Sequence, residues 1–540
     1  MKLRPTVASV INEHVTLELE SIDRLYLNVF VPQLQREGGV AAFFRVHRGH
    51  PFASSALMDP ISKEFVARLE SFANEQRVPV VQFRKGERKD DIAAEFIRKF
   101  KQEEGVLFIG KAQEKTRVFR TERRRNPKTG VAYPWLVRST AMVNHYYIYG
   151  VDRDFGPFFL KFCTYFPYTA KLYLNGHEWL KQQLRQRGIG FESLDNGLSS
   201  CDDIKRAQVI ADSLSAEKID ALLRKWLRRL PHPFTPSDRK AGYRYHISVL
   251  QAEFSLTQVL EGSAVGRLFF EEVIGENLDI GRPSQVQLIF GRRINTRTPG
   301  RFRTRVITEG VIPSLHADYK SSRIKQYLKR LKQNSIAALR TETTINNTRD
   351  FGIGKRLKNL PELRQIGFRA NRRMLEVETV AHDCFIGQNA YEQVAHPVEK
   401  DGQRASGLRF DDPRAQALFS SLVLFGMHLN GFCHQQLRDH LAELQGLDPS
   451  TYRPGKVTYD LRRLRLHRMI VRIPGTHRYK VTSQGLRLAM FFNRTHARLL
   501  RPKLAEIVIP TLGSPSALRK AFDRVDQQIK HCCEEARLAA

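Results

Sequence analysis

The chain has 540 residues, 41% of them hydrophobic, which excludes a disordered polymer and leaves room for several packed cores. Lys and Arg outnumber Asp and Glu 88 to 56, a formal net charge of +32, so an anionic polymer is the expected partner, and nucleic acid first. No stretch approaches the ~18 uninterrupted apolar residues of a membrane span. The opening MKLRPTVASVINEHVTLELE carries no signal-peptide core, and the six cysteines form no CxxC pair, so no metal ribbon is expected and a reducing cytoplasmic setting is.

The charge is uneven. Residues 1–110 hold 16 basic and 15 acidic side chains, residues 282–373 hold 22 and 5, and residues 453–506 hold 14 and 2. Charge focused in this way is an electrostatic footprint for a polyanion.

In chain order, SKEFVARLESFANEQ (62–76) has helical apolar spacing, VPVVQF (78–83) reads as a buried strand, DDIAAEFIRKFKQEEG (90–105) as a helix and VLFIG (106–110) as a second strand, together a βαβ step. No GxGxxG and no Walker lysine follows either strand, so no nucleotide site is assigned. RTERRRNPKTG (120–130) reads as a polar, basic turn, followed by the strands NHYYIYGV, GPFFLKFCTYF and TAKLYL. Asn175 is expected to cap the helix NGHEWLKQQLRQRG, and residues 205–230 predict one or two helices. PHPFTPSDRK (231–240), with three prolines, is the expected linker.

Beyond it, VQLIFGRRI, RFRTRVIT, IPSLHADY and ALRTETTIN are expected strands, with RIKQYLKRLKQ a helix or a long strand and residues 355–395 helical. From 411 to 510 the pattern is three helices, a hairpin and a helix, and one amphipathic helix ends the chain. The fold class expected is multidomain α+β: an N-terminal α/β unit with an antiparallel extension (1–230), a central basic antiparallel sheet domain with a helical extension (241–400), a winged helix-turn-helix (405–510) and a C-terminal helix (511–540).

YFPY with LNGHEW, GRPSQVQLIFGRR with TPGRFRTRVIT, LHADYK with RIKQY, and RTETTINNTRDFGIGKRL resemble blocks of a set of long basic bacterial proteins. That resemblance implies a bacterial source and brings no activity, cofactor or catalytic residue. The order helix, LxxLRxxxMI, basic hairpin, TxxG, helix resembles the winged helix-turn-helix of bacterial DNA-binding proteins.

In PGKVTYDLRRLRLHRMI, Val457, Leu461 and Leu464 share one face. Lys456, Tyr459, Arg462, Arg463 and Arg465 are left to the others, which suits a helix in a DNA major groove. Arg478 and Lys480 share one side of the following hairpin strand. A second basic face is expected from Arg301, Arg303 and Arg305, at about 6.6 Å spacing on one side of a strand, with Arg292, Arg293 and Arg297 before them and Arg323, Lys325 and Lys329 after.

Candidates for catalysis are few. Asp152 and Asp154 form a DxD near His177 and Glu178, the residue types of a Mg²⁺ nuclease. His316 and Asp318, Tyr319 and Tyr327, and Arg340 and Glu342 carry a faint similarity to rolling-circle replication initiators, although the second histidine of their metal motif is missing. The expected function is nucleic-acid binding, DNA in preference to RNA, with no cofactor, no metal and no membrane partner. The alternatives are a metal-dependent nuclease or initiator-like strand-processing enzyme of a mobile element, which alone would need Mg²⁺, and an RNA-binding scaffold.

Overall fold

A computed structural model describes residues 7–84, 86–276, 301–307, 314–330, 337–382, 388–400, 402–409, 412–426, 431–445, 447 and 452–495, together with the helical positions 524, 527, 528 and 531. The chain is mixed α and β. Its helices are α1 (Val7–His14), α2 (Glu37–Ala42), α3 (Ser55–Glu75), α4 (Lys89–Lys99), α5 (Gly176–Gln186), α6 (Ile204–Asp212), α7 (Ala216–Arg229), α8 (Pro236–Lys240), α9 (Ser263–Glu276), α10 (Leu360–His382), α11 (Gln388–Ala395), α12 (Pro413–Gly426), α13 (His434–Leu444), α14 (Pro454–Leu466) and α15 (Ser483–Thr495). Its strands are β1 (Val15–Phe30), β2 (Val80–Gln82), β3 (Gly105–Arg125), β4 (Ala132–Asp152), β5 (Gly156–Cys163), β6 (Ala170–Asn175), β7 (Phe191–Ser193), β8 (Leu198–Cys201), β9 (His246–Leu260), β10 (Arg301–Ile307), β11 (Ser314–Lys320), β12 (Ser322–Arg330), β13 (Ala337–Ile345), β14 (Val398–Lys400), β15 (Gln403–Ala405), β16 (Phe432–Cys433), β17 (Ile470–Arg472) and β18 (Arg478–Val481).

The chain divides into two compact units. One comprises residues 15–266 and 307–371 and is built on ten strands in the order β11-β12-β13-β9-β1-β6-β5-β4-β3-β2. Every neighbouring pair is antiparallel except β2 and β3, the expected βαβ step. The two separate sheets expected on either side of residue 240 are therefore corrected to one. β9 pairs with β1 from the N-terminal part and with β13 from the central part, so no sheet edge is left at the proline segment. That segment is instead a short capped helix, Thr235 and Asp238 forming a reciprocal capping box. RIKQYLKRLKQ resolves as strand for β12, paired on both sides. VQLIFGRRI and most of the expected final helix lie outside the described residues.

Alternation gives the sheet two unlike faces. Leu25, Leu27 and Val29 of β1, Leu172 and Leu174 of β6, and Phe158, Leu160 and Phe162 of β5 are buried. Phe162 meets Phe65 of α3, and Phe254 of β9 meets Phe368 of α10, with ring centroids 5.7 and 5.9 Å apart. Gly367 is what lets α10 approach, since a Cβ there would lie 2.3 Å from the Phe254 ring. The opposite face carries Arg24, Tyr26, Lys171, Tyr173, Phe159, Tyr147, Tyr149 and Glu253, register partners or alternate residues of the same strands. Helices follow their caps. Asn175 Oδ1 accepts from the His177 and Glu178 amides at the start of α5, as expected.

At the centre of this unit Arg340 of β13 is fully enclosed. Its Nη2 donates to Asp23 Oδ2 at 2.7 Å and to His177 Nε2 at 3.0 Å. Nη1 donates to Thr257 Oγ1 at 2.9 Å and to the Asn196 carbonyl, and Nε donates to Glu342 Oε1 at 2.8 Å. Arginine has no acceptor, so His177 receives the Arg340 hydrogen bond through Nε2, which also lies 2.9 Å from Ser255 Oγ. Burial and Arg340 hold that imidazole well below its ordinary pKa, hence neutral. For Asp23, burial pushes the carboxyl up, but Arg340, with the Asn196 hydrogen bond, more than offsets it and leaves it lowered to about 2.

The second unit includes residues 372–540. Its described C-terminal part packs α12, α13, α14 and α15 around Leu418, Phe419, Leu437, Leu441, Leu461, Leu464 and Leu488, all buried. Phe419 and Phe492 stack with centroids 4.4 Å apart. The three-stranded sheet β16-β18-β17 closes this part.

Arg340→Ala leaves Asp23 and Glu342 without their enclosed cation. It should cost about 3–5 kcal/mol of unfolding free energy in urea titrations. Because the folded Asp23 pKa lies below its unfolded value, its stabilisation is complete above about pH 4 and is lost as pH falls through about 2. Arg340→Ala should therefore flatten the acid limb of the stability curve.

Candidate nucleic-acid interface

The C-terminal helices build one basic face from the sequence upward. Pro454 opens α14, where its missing N–H costs nothing. Val457, Leu461 and Leu464 bury one side. Asp460 is buried beside them and accepts from Arg414 at 2.8 Å, which ties α14 to α12. Lys456, Tyr459, Arg462 and Arg465 are exposed, as expected.

Arg463 is not available as expected. It is 7% exposed, and its guanidinium donates to the backbone carbonyls of Ser406 (2.9 Å) and Gly407. The physical reason is helical rotation: residue 463 falls between the apolar underside and the outer face, where the segment after β15 lies. His467 joins it, with one ring nitrogen 2.9 Å from the Ser406 carbonyl and the other 2.8 Å from that of Gln393. Tyr459 is exposed yet its hydroxyl lies 2.8 Å from that of Ser406.

In the hairpin β17–β18, Lys480 is exposed, while Arg478 is half-buried and donates to the Gly431 carbonyl at 2.8 Å. Arg472 and Arg468, which sequence reasoning did not single out, are exposed next to them. Arg468 has a positive φ of 57°, the turn between α14 and β17.

Arg301, Arg303 and Arg305 lie on β10, a strand as expected, while Arg292, Arg293 and Arg297 lie outside the described residues. Arg323 and Lys325 alternate on β12 and are half-buried. Arg323 donates to Asp318 Oδ1 at 2.6 Å, so part of its charge is already matched. Lys325 sits 4.5 Å over the Tyr327 ring.

The acidic candidates do not converge. Asp152 ends β4 and is 1% exposed. It accepts from the Asp154 and Phe155 amides, from Lys225 at 2.8 Å and from Trp226 Nε1 at 2.9 Å. The DxD therefore straddles a hairpin turn: Asp152 closes it, and Asp154 points to Gln186 at its exposed side. Neither carboxylate is placed for a shared ion, which corrects that expectation. His316 and Asp318 alternate along β11 with Ser314 and Arg323 as partners. Glu342 accepts from Tyr327 at 2.9 Å and from Arg340, so it belongs to the enclosed network. Among the described residues no group of three His, Cys, Asp or Glu is arranged to hold a metal.

One hollow was not foreseen. On the open face of the ten-stranded sheet, a cavity of about 340 Å³ is lined by Tyr26, Tyr147, Tyr149, Phe159 and Tyr173, with Arg24, Lys89, Asp90, Gln251 and Glu253 around them. Phe159 and Tyr173 stack at 4.9 Å. Lys89 lies 4.0 Å from the Tyr147 ring centroid and Lys171 5.1 Å from that of Tyr26. Burial, with Asp23 nearby, pushes Glu253 up to about 7, although Arg24 opposes it. The available signal was the alternation of aromatic residues in YLNVF, HYYIYGV and KLYLN.

No family model, curated protein or solved structure matches this chain.

Arg463→Ala takes the guanidinium from the buried Gly407 carbonyl and leaves that of Ser406 to His467, and should lower the stability of the C-terminal helices by about 1–3 kcal/mol. Arg462→Ala, one position away and exposed, should stay within about 0.5 kcal/mol of wild type. Paired thermal melts of the two variants check the assignment of roles.

Proposed function

We propose that the chain binds duplex DNA through a winged helix-turn-helix spanning α12 to α15. The observation that carries this reading is the division of α14: Val457, Leu461 and Leu464 face the core, and Lys456, Arg462 and Arg465 face solvent. The basic hairpin with Arg472 and Lys480 follows at once. The major groove of B-DNA admits one α-helix, whereas the deep, narrow groove of A-form RNA does not, which favours DNA over RNA. In this reading α14 enters the groove and the hairpin meets the adjacent backbone. Phosphate contacts supply most of the affinity, so binding falls steeply with salt.

A second use of nucleic acid is favoured by the ring-lined hollow. Base–aromatic stacking contributes about 1–3 kcal/mol per base and tolerates any sequence. The hollow offers four tyrosines and a phenylalanine with cations at its rim, the chemistry of a site for an unpaired base on a sheet platform. Glu253, able to hold or release a proton near neutrality, faces the same space.

Fluorescence anisotropy of the full chain on a pool of random duplexes tests the first reading. Lys456→Ala, Arg462→Ala and Arg465→Ala combined should weaken binding at least tenfold and lower the log–log salt slope by about 2.7. Unchanged binding by this triple variant sinks the winged-helix reading. For the hollow, Tyr26→Ala with Tyr173→Ala should cost about 1–3 kcal/mol of single-strand affinity and leave duplex affinity unchanged. An equal loss on both substrates would assign the rings to packing.

A further inference from the structure

The strands β3 and β4 are 21 residues each, and they outrun their sheet. β2 pairs with residues 109–111 of β3, and β5 with residues 145–152 of β4. From Gln113↔Asn144 to Arg125↔Ala132 the two strands pair with each other alone, thirteen residue pairs in all. At strand rise this ribbon is roughly 40 Å long.

A lone hairpin is marginal in water, and this one is braced over its lower half. Val118, Phe119 and Leu136 are buried. The Ser55 amide at the start of α3 donates to Thr121 Oγ1 at 2.7 Å. Arg138 donates to the Gln35 carbonyl and to Glu37, both at 2.9 Å. Beyond Thr121 and Leu136 the brace ends.

The outer part differs in kind. Arg123, Arg124, Arg125, Pro127 and Lys128 are all exposed. The turn is tied from within: the Asn126 carbonyl accepts from Gly130, its amide donates to Val131, and its side chain accepts from the Lys128 amide, each at 2.9 Å. Gly130 supplies the positive φ of 68° that the turn needs. Pro127, with no N–H to satisfy, stands at the apex. Val131, Tyr133 and Trp135 are 63, 37 and 45% exposed. The Arg124 guanidinium lies 5.1 Å over the Trp135 ring. Over residues 113–144 there are eight Lys or Arg and two Glu.

We propose that this ribbon is a DNA arm that lies in the minor groove of a duplex, with its arginines along the groove and Pro127 wedged at a base step. Basic arms that enter the minor groove carry apolar wedges, proline among them, which unstack a step and bend the helix. Arginine is drawn to the enhanced negative potential of a narrow minor groove. Arg123 and Arg125 share a ribbon face with the cross-strand residues Pro134 and Ala132. On that face short side chains flank long cations, which lets the backbone come close to the groove. The one amide side chain at the tip, Asn126, is committed to the turn, so nothing there is free to read base edges by bidentate amide contact. The arm therefore grips by charge and deformation rather than by sequence. It shares with the winged-helix reading only the class of partner, and its residues are separate.

Full-length protein on a duplex labelled at both ends separates the two. Wild type should raise end-to-end energy transfer on binding, and a minor-groove ligand such as netropsin should compete with it. Pro127→Ala should reduce the bend while changing affinity less than threefold. Arg123→Ala, Arg124→Ala and Arg125→Ala combined should lower affinity at least tenfold and the salt slope by about 2.7. All four positions are exposed, so melting curves should match wild type. The Lys456, Arg462 and Arg465 triple variant should still bend DNA once saturated, so loss of one grip is told from loss of the other. Tip variants that bind and bend as wild type does, or binding indifferent to netropsin, overturn the arm. So does a tip that contributes to RNA binding and not to duplex DNA binding.

Discussion

The enclosed Arg340–Asp23 pair is the constraint on which the ten-stranded sheet depends. Two charges without water are expensive, and only complete satisfaction makes the arrangement tolerable. Here each donor group of the guanidinium has an acceptor, and the acceptors come from β1, β9, β13, α5 and the turn between β7 and β8. Gly197 makes room in that turn: a Cβ there would lie 3.0 Å from Arg340 Nη1, and its φ is 148°. The pair also sets the course of β1. Its register against β9 shifts between Ile22 and Leu25, around Asp23. Asp23 is thereby buried while its neighbour Arg24, 52% exposed at the side chain, lines the ring-lined hollow.

A chain with 88 basic side chains uses them in two ways. Some are structural cations whose hydrogen bonds are spent inside the fold: Arg340 on carboxylates, Arg463 on carbonyls, Arg414 on Asp460. Others stand in solvent, such as Arg462 and Arg465 on α14, whose far side is packed, or Arg123 and Arg125 at the open tip of the ribbon. Only the second kind can release counterions from a polyanion. The net charge counts both alike, which is why burial and partners, rather than charge, select the candidate interface.

The helices were legible where an apolar stripe and a start signal coincide, as in α14 with Pro454 before Val457, Leu461 and Leu464, or α5 with its Asn175 cap. The βαβ step was legible from VPVVQF and VLFIG. The central strands β1 and β9 were not. Asp23, Ser255 and Thr257 break their apolar pattern, and those polar residues are buried because of Arg340, 317 positions from Asp23 in sequence. Arg463 misled for a related reason: its partners are backbone carbonyls of a distant segment, which carry no sequence signal. RTERRRNPKTG looked like one long turn because its charges resemble loop composition. Its first six residues are strand, held extended by pairing with residues 132–137.

Charges on free strand edges also keep chains from pairing edge to edge, and Pro134 on β4 serves that end. Edge protection alone does not account for the ribbon. A protective charge acts wherever an edge is open, as Lys115, Arg117, Arg120 and Arg138 do along the ribbon, yet half of its eight cations crowd into six residues at the tip, at positions 123, 124, 125 and 128. Beside them Val131 and Trp135 stand in solvent, apolar surface of the kind that edge protection is meant to avoid. Dense positive charge next to exposed apolar side chains, on an extension whose base is braced, is stable as a free surface only while the charge keeps other protein chains away. A polyanion with apolar base faces meets both features at once.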